Sequence, residues 1–162
     1  MPSAELSRQS AMVFMVFSVD SKAGFDLDAA AVLTSSENKQ DGIHLEETSV
    51  FTVFNTAAFS GAPGITTINA HNNGMNGISI LTGSNVTVIH QATINSTGNA
   101  LDGIEADNGS ALTLLGSNVS GNGKDVVLSF GSRGDITTST IGTLTCDASV
   151  LLRGDTGRTC AK

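Results

Sequence analysis

Three copies of one short pattern decide the fold of this chain: NKQDGI at 38–43, NGMNGI at 73–78 and NALDGI at 99–104. Each copy has an asparagine, two variable residues, Asp or Asn, a glycine and an isoleucine, and NGKDVV at 122–127 is a degenerate fourth copy. The leading asparagines follow one another after 35, 26 and 23 positions. Self-similarity at such a spacing is typical of solenoids, in which each unit is one supersecondary element.

The residues between the copies repeat as well. A small polar pair lies five residues beyond each isoleucine, an alternating segment follows it, and a further apolar residue precedes the next asparagine. One unit therefore holds about three short strands, which bury their apolar side chains only when units stack at about 4.8 Å. The predicted inward columns are Ile43, Ile78, Ile104 and Val126; Val53, Val88 and Leu114; and Ile68, Ile94 and Val119.

These units predict an all-β fold, a right-handed single-stranded parallel β-helix with three parallel sheets and about five turns. A chain of 162 residues suits one domain, so we expect a single β-helix domain over 1–162. Residues 1–37 lack a clear copy and are expected to form an irregular first turn or an N-terminal cap. Residues 38–140 are expected to form the repeat turns, and residues 141–162 a C-terminal cap.

The leading asparagines have a predicted structural role. Stacked Asn side chains hydrogen-bond to one another and to turn backbone, and Asn tolerates left-handed dihedrals. Asn73, Asn99 and Asn122 are therefore expected to form a ladder at one corner. The extra residues 59–64 in the first interval predict an inserted loop with a Pro-Gly turn.

The fourth copy leaves the inward residue ambiguous by one position, and a slip of one residue exchanges the two faces of a strand. Counting forward from the asparagine places Val127 inward, whereas counting back from the next Gly-Ser pair places Val126 inward. We favour Val126, because it also turns Leu128 and Phe130 toward the core.

The net charge and the hydropathy of the chain limit the classes of partner that it can bind. The formal net charge is −7, with no cluster of basic residues along the sequence, so nucleic acid would be repelled. No apolar run reaches the roughly 18 to 20 residues of a membrane span. The apolar run near the N-terminus weakly resembles a secretory signal, and we favour a buried strand over Met12–Phe17.

Two cysteines, Cys146 and Cys160, lie near the C-terminus. We predict that they form a disulfide that staples the last residues, which implies an oxidising compartment and an extracellular or cell-surface location. The alternative is a pair of free thiols in a cytosolic protein.

The DGI and NGI motifs, followed by alternating strands and SGN or STGN turns, resemble the right-handed parallel β-helix repeats of the pectin-lyase-like superfamily. The stretch from VVLSFGSRGDI to the last cysteine resembles the ends of secreted bacterial β-helix repeat proteins of unassigned activity. Within that superfamily, pectate lyases use acidic calcium ligands and a catalytic arginine, and polygalacturonases use an NTD motif with an Asp pair. The sequence contains neither set.

A weaker set of candidates lies on the strand that follows each DGI. There the side chains of His44, Glu46, Glu105 and Asp107 are expected to point outward, with Ser79 and Leu81 between them. Residues two apart on a strand lie about 7 Å from each other, so Glu105 and Asp107 are weak candidates for a Ca²⁺ site or a carboxylate pair. The alternative is an ordinary solvated face. No other cofactor is expected.

Two main functional hypotheses follow. The first is a non-catalytic extracellular or surface-associated module that contacts a glycan or a protein. The second is a small polysaccharide lyase or glycoside hydrolase with its acidic site on the outer sheet face. Self-association through the open ends of the solenoid is a third hypothesis.

Overall fold

The computed structural model describes residues 17–56, 61, 64–154 and 160. In these residues the chain forms three sheets in which every strand pairs in parallel, with strands numbered in chain order. Sheet A contains β1 Phe17–Val19, β4 Ile43–Leu45, β7 Ile78–Ile80, β10 Asp102–Ala106, β13 Lys124–Leu128 and β16 Leu144–Cys146. Sheet B contains β2 Gly24–Leu27, β5 Val50–Val53, β8 Asn85–Val88, β11 Ala111–Leu115, β14 Arg133–Thr137 and β17 Leu151–Arg153. Sheet C contains β3 Val32–Ser36, β6 Thr66–His71, β9 Ala92–Thr97, β12 Asn118–Ser120 and β15 Thr140–Ile141.

Successive strands belong to sheets A, B and C in turn, so each coil contributes one strand to every sheet. The described residues make five complete coils, and β16 and β17 begin a sixth. The predicted parallel β-helix with three sheets is confirmed. Its core consists of the inward side chains of all three sheets, each aliphatic member contributing on the order of 1.5–3 kcal/mol relative to exposure.

The predicted column of β-branched residues in sheet A is confirmed. Ile43 pairs with Ile78, Ile78 with Ile104, and Ile104 with Val126, and all four are fully buried. In sheet B, Val53 pairs with Val88. The register of the parallel strands therefore places the inward residue of one coil next to the inward residue of the following coil.

The third predicted column is wrong at its last member. Ile68 pairs with Ile94, but Val119 pairs with Ser96 and belongs to the adjacent inward column. The coil that contains Val119 is shorter than the one before it: Asn99 and Asn122 are 23 positions apart, whereas Asn73 and Asn99 are 26 apart. The three missing positions fall between β11 and β12. Ser117 occupies the place next to Ile94, whose backbone N–H donates to the Ser117 hydroxyl at 3.1 Å.

The corner between sheets C and A carries the asparagine ladder that the repeats predict. The Nδ2 of Asn38 donates to Oδ1 of Asn73 at 2.9 Å, Asn73 to Asn99 at 2.9 Å, and Asn99 to Asn122 at 2.8 Å. Each Oδ1 also accepts the backbone N–H of the preceding asparagine. Amide side chains thus satisfy the buried polar groups of this corner.

The glycine of each DGI or NGI copy is required by close packing beneath this ladder. A Cβ at Gly77 would lie 2.6 Å from the carbonyl oxygen of Gly103 and 2.7 Å from Nδ2 of Asn99. A Cβ at Gly103 would lie 2.6 Å from Nδ2 of Asn122. Any larger residue would push the coils apart, which explains why the glycine recurs.

The fourth copy departs from this rule in an informative way. Lys124 pairs with Asp102, so Asp125 occupies the glycine position and Val126 points inward, as favoured from the sequence. The buried Asp125 carboxylate accepts from Nδ2 of Asn122 at 3.0 Å and from the backbone N–H of Thr143 at 2.7 Å. Asp125 therefore takes the place of the next asparagine and ends the ladder.

One inward assignment in this coil is corrected. Leu128 is fully buried, but the side chain of Phe130 is 69% exposed. Strand β13 ends at Leu128, and Phe130 adopts a left-handed φ of 46° in the turn before Gly131. The alternation of faces therefore stops at the strand end.

The first coil lies in register with the second, since β1, β2 and β3 each pair with a strand of the following coil. Residues 1–16, part of the stretch for which an irregular first turn or cap is expected, lie outside the described residues. Rings of Phe17, Phe25 and Phe51 pack together at this end with centroids 4.8 to 5.8 Å apart. The predicted strand at Met12–Phe17 lies outside the described residues except for Phe17, and most of the predicted loop at 59–64 also lies outside them.

At the other end, a disulfide joins Cys146 to Cys160, with their Cα atoms 5.2 Å apart. Cys146 is the last residue of β16 and belongs to the core cluster. The bond therefore ties the C-terminal segment to the final strand of sheet A.

Candidate functional site

The outer face of sheet A brings the candidate residues from three coils together. His44 pairs with Ser79, and Ser79 pairs with Glu105, so these three form one outward column as the sequence predicts. Glu46 and Asp107 follow two residues beyond His44 and Glu105, at the start of the turn toward sheet B. We call this surface the acidic face.

A second polar ladder borders the acidic face, formed by the residue that precedes each repeat glycine. The backbone N–H of Asn76 donates to Oδ1 of Asp41 at 2.9 Å, and that of Asp102 donates to Oδ1 of Asn76 at 3.0 Å. The Asp or Asn of the repeat motif therefore has a structural role, since its side chain accepts a bond from the next coil.

His44 lies between two carboxylates. Its Nδ1 is 3.3 Å from Oδ2 of Asp41, and its Nε2 is 3.5 Å from Oε2 of Glu46. The hydrogen bond with Asp41 raises the pKa of His44 above its ordinary value, partial burial opposes this, and Glu46 adds to it. The shift stabilises the imidazolium form relative to that of a free histidine, which suits a residue that pairs with charges better than a general base.

The Glu105 carboxylate contacts two polar side chains of the preceding coil. Its Oε2 accepts from Nδ2 of Asn76 at 2.8 Å and lies 3.5 Å from the Ser79 hydroxyl. Burial raises the pKa of Glu105, and the negative charges of Asp102, Asp107 and Asp41 raise it further, against the effect of the Asn76 bond.

Burial also raises the pKa of Asp102, with the charge of Lys124 opposing the shift. A carboxyl group whose pKa is raised is a candidate general acid, and Glu105 and Asp102 both meet that condition.

The other two candidates are differently placed. The Asp107 carboxylate accepts from the backbone N–H of Asn108 at 2.7 Å and from the hydroxyl of Ser129 at 3.0 Å, so it stabilises the turn of its own coil and of the next. The Glu46 side chain is about half exposed and bonds to His44. Across residues 17–56, 61, 64–154 and 160, no group of three or more His, Cys, Asp or Glu side chains is arranged to hold a metal ion. The predicted Ca²⁺ pair therefore has no third ligand of this kind among these residues.

Sheet B carries a groove that sequence reasoning missed. It measures about 240 Å³ and is lined by residues that include Asn85, Ala111, Thr113, Arg133, Asp135 and Arg153. Pairing places Arg133 opposite Ala111, and Asp135 opposite both Thr113 and Arg153. In the sequence the two arginines are 20 positions apart, each within an Arg-Gly-Asp tripeptide, and only the register of the coils brings them to one groove.

The described strands of sheet C present no Asp, Glu, Lys or Arg side chain on their outer face, and we call it the neutral face. Asn69 pairs with Asn95, Asn95 with Asn118, and Asn118 with Thr140 in its central column. The Nδ2 of Asn95 donates to Oδ1 of Asn69 at 3.0 Å. Thr34 pairs with Asn69 and extends the central column, and the flanking outward positions hold Val32, Ser36, Thr67, His71, Thr93, Thr97 and Ser120. This face offers a regular array of amide and hydroxyl groups.

Comparison of the chain with family models, with curated proteins and with solved structures gives no match in any of the three. Within the described part of the chain, no helix has the length and apolarity needed to cross a bilayer.

Proposed function

We propose that this chain is a non-catalytic, extracellular or surface-associated β-helix module that contacts a neutral glycan through the neutral face. The observation that carries the proposal is the register of sheet C, which repeats amide and hydroxyl groups at about 4.8 Å from coil to coil. A rigid array of this kind loses little conformational entropy when a polyhydroxylated ligand binds, because its side chains are already ordered.

Further features support this proposal. The Cys146–Cys160 bond favours an oxidising, extracellular compartment. Carboxylates of the acidic face accept hydrogen bonds that stabilise the turns. The Asp107 carboxylate, for example, accepts from the backbone N–H of Asn108 and from the hydroxyl of Ser129. The three-sheet architecture and the asparagine ladder support the resemblance to the pectin-lyase-like superfamily, which we retain as part of the proposal.

Retention on insoluble neutral polysaccharides such as cellulose, chitin and xylan tests the proposal. The protein is expected to sediment with at least one of them, and Thr97→Lys is expected to reduce the bound fraction, because a lysine would disrupt the uncharged array. Thr52→Lys makes the same change on the outer face of sheet B, outside the groove, and is expected to bind normally. Absence of binding to the whole panel, or equal losses in the two variants, would overturn the proposal.

A second candidate function is a small polysaccharide lyase or glycoside hydrolase that uses the acidic face. The observation that favours it is the raised pKa of Glu105 beside Asp102, since a carboxyl group whose pKa lies above its ordinary value holds its proton to higher pH and can act as a general acid. His44, Glu46 and Asp107 would complete the polar site. Turnover of an acidic-glycan panel with added Ca²⁺, abolished by Glu105→Gln, would support this candidate, and absence of turnover across the panel would remove it.

A further inference from the structure

The groove of sheet B concentrates positive charge in an acidic protein. The chain has 8 Lys and Arg against 15 Asp and Glu, yet two arginines and a single carboxylate line this groove. Both arginine side chains are exposed, and within the described residues neither guanidinium makes an ion pair or a hydrogen bond. Asp135 lies opposite Arg153 on the neighbouring strand, and no ion pair joins it to either arginine in the described residues.

The backbone fixes the separation of the Cα atoms of Arg133 and Arg153. Arg133 and Arg153 lie on adjacent strands, and they are offset by two residues, because Arg153 pairs with Asp135. Spacings of about 4.8 Å across the sheet and about 7 Å along it put their Cα atoms roughly 8 Å apart. At that Cα separation the long side chains of Arg133 and Arg153 can both reach one bound group.

The floor of the groove suits a small polar ligand. Ala111 pairs with Arg133 and with Asn85, so a short side chain lies between two long ones and leaves a depression. The amide of Asn85 and the hydroxyl of Thr113 add uncharged hydrogen-bonding groups to the lining. A guanidinium is planar, weakly hydrated and matched to the paired oxygens of carboxylate and sulfate groups.

We infer that this groove is an anion-binding site that takes one carboxylate or sulfate group of a ligand between Arg133 and Arg153. The inference is independent of the proposed function, because it concerns a different sheet and a ligand of different charge. Asp135 opposes the bound anion, so the site binds weakly on its own and gains affinity when several anionic groups are presented on one polymer.

The site can be tested first with free anions. Sodium sulfate and sodium acetate are titrated at constant ionic strength while the side-chain Nε–H signals of the arginines are followed by NMR. Saturable shifts of the Arg133 and Arg153 signals are expected. Unsaturable shifts, or shifts of equal size at the other arginines of the chain, would overturn the inference.

Variants then distinguish anion binding in the groove from a general effect of the protein's net charge. Arg153→Gln is expected to weaken binding by about tenfold, the size of a charge-assisted hydrogen bond, and Asp135→Asn is expected to strengthen it. Lys124→Gln removes the same unit charge from sheet A and is expected to leave binding unchanged. Because all three side chains are exposed or lie at strand surfaces, thermal melts of the variants should match the parent. A loss for Lys124→Gln equal to that for Arg153→Gln would overturn the inference.

Columns carrying a sulfated and a carboxylated polysaccharide distinguish the two sources of the anion. Elution of the protein at higher salt from one column than from the other identifies the preferred group, and the Arg153→Gln variant should lose that difference. If the parent and the variant elute together from both columns, the groove does not bind polymeric anions and the inference fails. Failure here would leave the neutral-polysaccharide result of the proposed function unaffected.

Discussion

Removal of one rung of the asparagine ladder should cost far more stability than removal of an amide from the surface. Asn99 is 3% exposed, and its Nδ2 donates to the carbonyl of Ala70 at 3.0 Å and to Oδ1 of Asn122 at 2.8 Å. Its Oδ1 accepts from both the backbone N–H and the Nδ2 of Asn73. Asn99→Ala leaves several buried groups without partners at about 1–3 kcal/mol each, so we expect a total loss of about 4 kcal/mol after partial relaxation.

The measurement is the free energy of unfolding in urea, followed by circular dichroism. Asn95→Ala is the matched control, since Asn95 lies half-buried on the neutral face and its side chain donates one bond, to Asn69. Water replaces that bond, so the control should lose less than about 1 kcal/mol. Equal losses in the two variants would refute the idea that the ladder stabilises the corner, as would a loss below about 1 kcal/mol for Asn99→Ala.

Four further outcomes are expected. Ile78→Ala, in the middle of its column, should lower the free energy of unfolding by about 2–5 kcal/mol in the same urea titration. Asp125 has a pKa lowered by bonds from Asn122 and Thr143 that outweigh burial, so its contribution is present above the ordinary pKa and lost as pH falls through the folded value; Asp125→Asn should flatten the acid limb of a stability–pH curve. Glu105 has a raised pKa, so stability falls as pH rises above about its ordinary value of 4.5, and Glu105→Gln should be more stable than the parent at neutral pH but not in acid, as measured by thermal melts. Cys160→Ser should lower the free energy of unfolding by about 2 kcal/mol, and a reductant should have the same effect on the parent but none on the variant.

The candidate site was only partly predictable. The outward column of His44, Ser79 and Glu105 follows from the repeat, because parallel register transfers each position to the next coil. The hydrogen-bond partners of these side chains could not be predicted from the repeat. Asn76 bonds to Glu105 across one coil and Asp107 bonds to Ser129 in the next, and such contacts depend on rotamers that the repeat does not specify.

The sequence by itself determined the parallel β-helix, its three sheets and the column from Ile43 to Ile104, because each copy of the repeat places its inward residue at the same position of a coil. The structure decided that Val126, not Val127, continues that column. It also determined the asparagine ladder, since the asparagines recur at the same place in each unit. Only the tertiary structure decided where the spacing changes. Val119 lies next to Ser96 and not next to Ile94, because the shorter coil loses its residues in the turn before β12. It likewise decided the meeting of Arg133 and Arg153, because side chains 20 positions apart in the chain become neighbours only when successive coils lie in register.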